Sequence, residues 1–213
     1  MKTLKIDFVS DVACPWCAVG LNALERALER VGPELTTELH FQPFELNPTM
    51  PAEGADTVLY LSNKYGISAE QIARNQAAIR ARGAEVGFTF GNRARVWNTF
   101  DAHRLLHWAG LQGKQRELKH ALLKAYHGDG RNPGAHDVLV ELAGAVGLDA
   151  AAARDVLDSG QFTDEVRAAE AMWQQAGIHS VPSIVINDRH LIQGGQPAEV
   201  FEQALRQIAQ AEG

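Results

Sequence analysis

The sequence predicts an α/β protein in which two strand-containing segments share one mixed sheet and a helical segment is inserted between them. The first fifty of the 213 residues alternate strand, helix and strand, the next stretch is almost entirely helical, and strand patterns return after Gly177. Neither flank is long enough to bury a core alone, so the two must combine. We therefore expect a discontinuous domain, residues 1–50 and 177–213, around a helical insertion of residues 51–176.

The first segment begins with an apolar strand, Leu4 to Val9, and continues with a helix from Pro15 to Val31. Proline suits the first turn of a helix, and Gly32-Pro33 ends it. The apolar stripe of this helix consists of Leu21, Leu24, Leu28 and Val31. A second strand is predicted from about Glu38 to Glu45.

Helical periodicity and capping residues divide the middle segment. Ser68 and Gln71 form a capping-box pattern, and Asn98 is expected to cap another helix. The polar, glycine-rich run His127 to Gly134 is predicted to be a surface loop. The predicted helices are Ser68–Arg82, Asn98–Ala109, Gln115–Tyr126, Asp137–Val146, Ala150–Leu157 and Asp164–Ala176.

The last segment is predicted to form a β-hairpin and one helix. Val181 to Ile186 and His190 to Ile192 flank the turn residues 187–189. The pair Gly194-Gly195 is a turn, and the final helix has the apolar stripe Val200, Phe201, Leu205 and Ile208.

Composition limits the classes of partner. The chain is 46% hydrophobic and 22% charged, with a net charge of −6 and a pI near 5.7, so a nucleic-acid partner is disfavoured. No stretch is long and apolar enough for a membrane span, and Met1-Lys2-Thr3 leads directly into a strand without a signal-peptide pattern. We therefore expect a cytoplasmic protein without a membrane partner, in which paired cysteines cycle between redox states.

The two cysteines of the chain lie together as Cys14-Pro15-Trp16-Cys17, between a strand and a helix. Backbone N–H groups and the helix dipole at that position favour the thiolate, the reactive form of cysteine. A zinc site would require more ligands, and a disulfide across so short a loop would constrain the unfolded chain little. His103 and His107 share a helix face but have no third ligand nearby, so no metal is expected. The motif predicts thiol–disulfide exchange.

This arrangement resembles the thioredoxin fold with a helical insertion, as in the DsbA family, and is most similar to the FrnE-like branch near the 2-hydroxychromene-2-carboxylate isomerases. The matching blocks spread over the whole chain. They are Cys14–Cys17, Phe41–Pro48, Asn98–Leu105, Ser180–Ser183 and Gly194–Pro197.

The resemblance implies roles for the dithiol and for the segment opposite it. Cys14 would attack a substrate disulfide, and Cys17 would resolve the mixed disulfide. Pro182 would be a cis-proline facing the pair, with the Val181 backbone free to pair with an extended substrate. Pro15 and Trp16 would belong to the substrate-facing surface. Strongly oxidising relatives carry histidine at the position of Trp16, so we expect a less acidic Cys14 and a less oxidising pair.

Three further residues are candidates by position. Asp7 lies near the place of the buried acid behind the dithiol in thioredoxin-like proteins and is a candidate proton relay; an edge or solvent-facing aspartate is the alternative. Asn98 and His103 lie on the insertion, in a block that the resemblance places near the active-site groove, and are candidate substrate contacts.

The leading functional hypothesis is a dithiol–disulfide oxidoreductase acting on protein or small-molecule disulfides. The alternatives are a glutathione-dependent isomerase or transferase of the 2-hydroxychromene-2-carboxylate isomerase or kappa type, and a redox-sensing folding helper. The second thiol, Cys17, argues against the isomerase. We expect no cofactor besides the cysteine pair, with glutathione a candidate co-substrate, and a monomer or weak homodimer.

Overall fold

The computed structural model describes residues 3–32 and 34–211 and contains a four-stranded sheet that unites the two ends of the chain. Its strands are β1 (Thr3–Ser10), β2 (Thr36–Pro43), β5 (Ser183–Ile186) and β6 (His190–Gln193), in the order β2-β1-β5-β6. β1 pairs with β2 in parallel and with β5 in antiparallel fashion. The expected mixed sheet is confirmed. Met1, Lys2, Pro33, Glu212 and Gly213 lie outside the described residues, so the prediction on Pro33 stays untested.

Two strand boundaries differ from expectation. β2 ends at Pro43 rather than Glu45 because Pro43 pairs with Ser10, where β1 itself ends. β5 begins at Ser183 rather than Val181, since Pro182 has no N–H to donate to a ladder. The hairpin turn is as expected: Asn187 and Asp188 both have positive φ, as a type I′ turn requires.

Helices cover both faces of the sheet. On one face, Ile6 and Phe8 of β1 pack in a core with α1 (Pro15–Val31) and α9 (Ala198–Ala211). On the other face, Val9 and Val185 pack against Trp173 of α8 (Thr163–Gln175). Both cysteines belong to the first core.

The middle segment is mostly helical, with one addition and several shifted boundaries. Ala55–Asp56 (β3) and Arg95–Val96 (β4) form a two-stranded ladder, so the insertion is not all helical. The sequence also missed α2 (Thr57–Tyr65). The other helices are α3 (Ala69–Glu85), α4 (Phe100–Leu111), α5 (Gln115–Leu123), α6 (His136–Ala145) and α7 (Ala150–Asp158).

The shifted boundaries have local causes. The Asn98 side chain accepts a hydrogen bond from the Phe100 N–H (2.8 Å), which leaves Thr99 as the N-cap of α4. After α5 the chain widens into a π-helical turn, Lys124–Gly128, instead of continuing as an α-helix to Tyr126. That turn occupies the start of the expected surface loop, and His127 within it is buried.

The four helices α4 to α7 form a second core, and the loop between β1 and α1 inserts into it. Val12 and Ala13 of that loop pack there, whereas Cys14 and Cys17 pack in the core of the sheet. The dithiol therefore lies where the two cores meet. Among the described residues, no helix combines the length and apolar character needed to cross a membrane.

Candidate active site

The dithiol stands at the first turn of α1, as the sequence predicts. Cys14 is the N-cap, Pro15 is the first helical residue, and the Cys17 N–H donates to the Cys14 carbonyl (3.1 Å). Both cysteines are free thiols, Cys14 being 4% exposed and Cys17 fully buried. An attacking group can therefore come from Cys14, with Cys17 behind it.

The segment before β5 forms the wall opposite the dithiol. The Val181–Pro182 peptide bond is cis, as the family resemblance implies. The Cys14 thiol donates to the Val181 carbonyl, with Sγ and O 3.5 Å apart. Glycine permits this approach: a Cβ on Gly20 of α1 would lie 3.1 Å from Pro182 Cγ and 3.2 Å from Gly195 Cα. Gly20 thus brings the loop onto the helix beside the dithiol.

The two thiols have opposite electrostatic environments. The pKa of Cys14 is lowered, first by the hydrogen bond from the Cys17 thiol and then by the backbone N–H groups of the first turn, although burial opposes this. Burial raises the pKa of Cys17 well above its ordinary value, and the neighbouring Cys14 raises it further. The pair therefore presents one thiolate-prone and one protonated sulfur.

A buried carboxylate, Asp11, holds the loop that carries Cys14. It accepts hydrogen bonds from the backbone N–H of Ala13 (3.0 Å), the backbone N–H of Leu46 (2.7 Å) and the Thr99 hydroxyl (2.7 Å). His103 Nε2 lies 3.4 Å from the same carboxylate. Burial acts to raise the pKa of Asp11, but the interactions with His103 and the backbone lower it below its usual value. One side chain thus connects the loop after β1, the segment after β2, and the N-terminus of α4.

A groove of about 800 Å³ opens in front of Cys14. Its floor is formed by Cys14, Pro15, Trp16 and Val181, and its outer wall by α2 and α3. Trp16 is 37% exposed. Among the described lining residues, Arg93 alone carries a full charge, and its guanidinium donates to the Ala13 carbonyl (3.0 Å). The large apolar and aromatic residues of this wall and of the turn that joins the two helices are Tyr60, Leu61, Tyr65, Ile67, Ile72 and Ile79.

The structure separates Asp7 from the dithiol. Successive side chains of a strand point to opposite faces, and Phe8 packs in the core that contains the cysteines. Asp7 accordingly lies on the other face, where it accepts from the Gln42 side chain (2.6 Å) and pairs with Lys5 (3.1 Å). It is buried on a central strand. Both expectations for Asp7, the proton relay and the exposed or edge aspartate, are wrong in geometry.

Asn98 and His103 also lie away from the groove. Neither belongs to its lining; Asn98 binds the start of α4, and His103 faces Asp11 from behind the Cys14 loop. The substrate contact proposed for them is therefore corrected to a supporting position. His107 stacks on Phe162 with ring centroids 5.0 Å apart.

Sequence reasoning missed two ionisable groups behind the dithiol, Asp11 and Lys119 of α5. Lys119 is only 1% exposed and interacts electrostatically with Cys17, Cys14 and Asp11. Asp11 had a local signal, since an aspartate commonly accepts from the N–H two residues later in a turn. Lys119 stands four residues before Leu123, which packs with the cysteines, but spacing alone does not separate a buried lysine from one that reaches solvent.

Comparison with known proteins agrees with this geometry. Residues 5–206 match the family model of the DSBA-like thioredoxin domain. The uncharacterized protein YwbO of Bacillus subtilis is 31% identical over 206 residues, covering 95% of this chain and 96% of the relative.

Two solved structures extend the comparison. The chain is similar to a probable DsbA oxidoreductase from Streptomyces coelicolor, with a TM-score of 0.88 and 37% identity over 96% of this chain and 89% of that one. A 2-hydroxychromene-2-carboxylate isomerase superposes with a TM-score of 0.75 at 14% identity, over 98% of this chain and 97% of that one, which shows a shared fold.

Proposed function

The chain belongs to the DSBA-like thioredoxin domain family, that of the DsbA-like oxidoreductases, and on this premise we propose that it exchanges disulfides through a mixed disulfide on Cys14. The observation that carries the proposal is the asymmetry of the pair. Cys14, at the helix N-terminus with a lowered pKa, faces the groove, and the buried Cys17 with a raised pKa stands one turn behind it. This division suits a nucleophile and a resolving thiol.

The reaction proceeds in two exchanges. The Cys14 thiolate attacks one sulfur of a substrate disulfide, the other substrate sulfur leaves as a thiolate, and a Cys14–substrate disulfide forms. Cys17 then attacks Cys14 Sγ, which releases the second substrate thiolate and leaves the Cys14–Cys17 disulfide. The reverse sequence oxidises a substrate dithiol. The cysteine pair carries all the chemistry, with glutathione as a candidate co-substrate.

The groove supports an extended, largely uncharged segment next to the substrate sulfur. Its walls are apolar and aromatic, and Arg93 is already engaged with the Ala13 carbonyl and lies over the Tyr126 ring (5.3 Å). The Val181 backbone lies beside Cys14 and would pair with such a segment. A protein disulfide fits this surface better than a dianionic small molecule, since Arg93 is the one full cation among the described lining residues.

Trapping tests the proposal. Cys17→Ser should accumulate mixed disulfides with a disulfide-bonded peptide, whereas Cys14→Ser should form none, because only the former retains the nucleophile without the resolving thiol. Mass spectrometry of the alkylated products reads both. Equal trapping by the two variants would exclude the assigned roles. Glutathione-dependent isomerisation of a chromene carboxylate by the double serine variant would favour the isomerase alternative instead.

A further inference from the structure

A second cavity lies between the edge strand β2 and helices α4 and α5, apart from the groove. It has a volume of about 480 Å³, within the range usual for small-molecule sites, and it opens to solvent. None of its described lining residues belongs to the groove in front of Cys14. The proposed disulfide exchange therefore assigns it no role.

One face of α4 forms a wall of this second cavity. His103, Leu106, His107 and Gly110 recur at helical spacing, and all four line it. The sequence shows that the two histidines share a helix face, and no cluster of three or more metal-ligating side chains occurs among the described residues. The face that carries the histidines thus borders a space of ligand size, not the groove and not a metal site.

The wall formed by α5 carries Lys119. The residue is 1% exposed, and its amine forms no hydrogen bond or ion pair with any described residue. The amine nitrogen is not fully enclosed, however, and because Lys119 lines the second cavity, its accessible part faces that space. A cation so far removed from water is costly without a counter-charge. Burial lowers the pKa of Lys119, and an anion bound beside the amine would oppose that shift.

The other charged residues of the lining already have partners. Arg116 donates to the Glu25 carboxylate (2.6 Å), and Glu117, the one acidic residue of the described lining, pairs with Lys114 (3.0 Å). Glu117 is exposed, whereas Lys119 is buried beside Leu106 and His103. The cavity therefore has a buried inner end with one cation and a more exposed rim. A single negative charge matches the inner end.

The edge of β2 inside the second cavity is closed to an extended peptide. The Gln115 side-chain oxygen accepts a hydrogen bond from the Phe41 backbone N–H (3.1 Å), and the side-chain nitrogen donates to the Phe41 carbonyl (3.0 Å). One amide thus occupies both backbone groups that a further strand would use at this position. A small molecule is the occupant that remains, and Leu39, Phe41 and Leu106 supply apolar lining for its body.

We propose that the second cavity binds a small monocarboxylate with an apolar or aromatic body. The carboxylate accepts a hydrogen bond from Lys119 Nζ at the inner end, and the body lies against Leu39 and Leu106 toward the rim. The ligand neutralises the buried ammonium, and the apolar lining disfavours a second charged group. This site is separate from the dithiol, so it stands or falls independently of the proposed disulfide exchange.

Calorimetric titration of the reduced full-length protein with cinnamate tests the proposal. Cinnamate should bind at one site, and cinnamamide, which has the same shape without the charge, should bind more weakly. Lys119→Met should weaken cinnamate by about 10- to 100-fold, the loss expected for a hydrogen bond to a charged group, and leave the binding of cinnamamide unchanged. Lys124→Met, which removes an exposed lysine outside the described lining, should bind cinnamate as the wild type does.

Three results would overturn the proposal. They are the absence of saturable cinnamate binding to the wild-type protein, equal affinities for the acid and the amide, and unchanged cinnamate affinity in Lys119→Met. The variant should fold, because methionine fills the space of the lysine stem and removes a buried polar group.

A measurement on the wild-type protein locates the ligand without any variant. Nuclear Overhauser effects from the cinnamate ring should reach the methyl groups of Leu39 and Leu106, which line the second cavity. Contacts to the methyl groups of Leu61 and Ile79 instead would place the acid in the groove in front of Cys14 and would contradict the proposed site.

Discussion

Replacing Asp11 with asparagine should destabilise the protein by about 2–3 kcal/mol and increase the reactivity of Cys14. Asparagine keeps the volume and one oxygen, which can still accept from Ala13 and Thr99. Its amide nitrogen then faces the Leu46 N–H, where the carboxylate oxygen lies 2.7 Å away in the native protein. A buried donor without an acceptor costs about 1–3 kcal/mol. The cost of Asp11→Asn should lie in the upper half of that range, because the new amide N–H also faces the Leu46 N–H and the charge interaction with His103 is lost.

The matched control is Asp149→Asn at the exposed N-cap of α7. Asp149 accepts one backbone N–H, that of Ala152 (2.9 Å), and asparagine caps a helix equally well, so the change should be within about 0.5 kcal/mol. Urea unfolding at pH 7 measures both variants. A cost for Asp11→Asn no larger than that of Asp149→Asn would refute the idea that Asp11 holds the loop.

The same variant has a defined pH dependence. The folded-state pKa of Asp11 is lowered, so its stabilisation is complete above the unfolded value of about 3.9 and is lost as pH falls through the folded value. The stability difference between wild type and Asp11→Asn should therefore shrink only in strong acid. Because the charge of Asp11 raises the pKa of Cys14, the variant should also titrate Cys14 at lower pH in an iodoacetamide assay.

Three other predictions follow from buried groups and close contacts. Iodoacetamide should modify the reduced wild-type protein at Cys14 first, with a midpoint below the free-thiol value of about 8.5, and peptide mapping that finds equal labelling of Cys17 would contradict it. Burial lowers the pKa of His127 to about 3. Between about pH 6.5 and pH 3 the imidazole therefore takes up a proton in the unfolded chain but not in the folded protein, so the free energy of unfolding falls with falling pH by up to about 1.4 kcal/mol per pH unit. In urea unfolding at pH 7 and pH 5, His127→Gln should remove this contribution to the pH dependence. Gly91→Ala should lower the melting temperature, since the new Cβ would lie 1.9 Å from the Gly128 carbonyl oxygen. Gly144→Ala, on the exposed surface of a helix, should instead stabilise the protein by about 0.5–1 kcal/mol and so raise the melting temperature. Equal shifts in the melting temperature of the two variants would contradict the steric argument.

The sequence predicts most of this fold because the residues that begin and end its helices and turns act locally. Proline at the first turn of α1, the Ser68–Gln71 capping box and the Asn187-Asp188 turn each act within a few residues, and the structure has all three. The helix α2 was missed because Val58 and Leu59 are exposed, so its apolar residues do not mark a buried stripe. Its start depends on Asp56, which belongs to a ladder with Arg95 nearly forty residues away.

In the candidate site, too, the sequence predicted the residues of a local motif and missed those that depend on distant parts of the chain. Cys14, Cys17 and the cis Val181–Pro182 segment come from the motif and the family resemblance. The predicted role of Asp7 was wrong because neighbouring residues of a strand point to opposite faces of the sheet. Phe8, not Asp7, therefore faces the cysteines. The sequence of α5 could not identify Lys119, because only the folded structure shows that its side chain is buried and interacts electrostatically with both cysteines.

The source of the Cys14 acidity bears on the redox strength of the pair. A neighbouring cation that binds the thiolate stabilises the reduced form and makes the disulfide more oxidising. Here the lowering of the Cys14 pKa comes from the Cys17 thiol and from backbone N–H groups, and no cation among the described residues donates to its sulfur. Asp11 acts in the opposite direction, and Trp16 offers no charge. Thiolate stabilisation by neutral donors alone is weaker than by a charged partner. A pair less oxidising than that of relatives with histidine at this position therefore stays the prediction. Trp16→His, which places a chargeable ring beside Cys14, should raise the reduction potential of the pair in glutathione redox buffers; an unchanged or lower potential would contradict this electrostatic account.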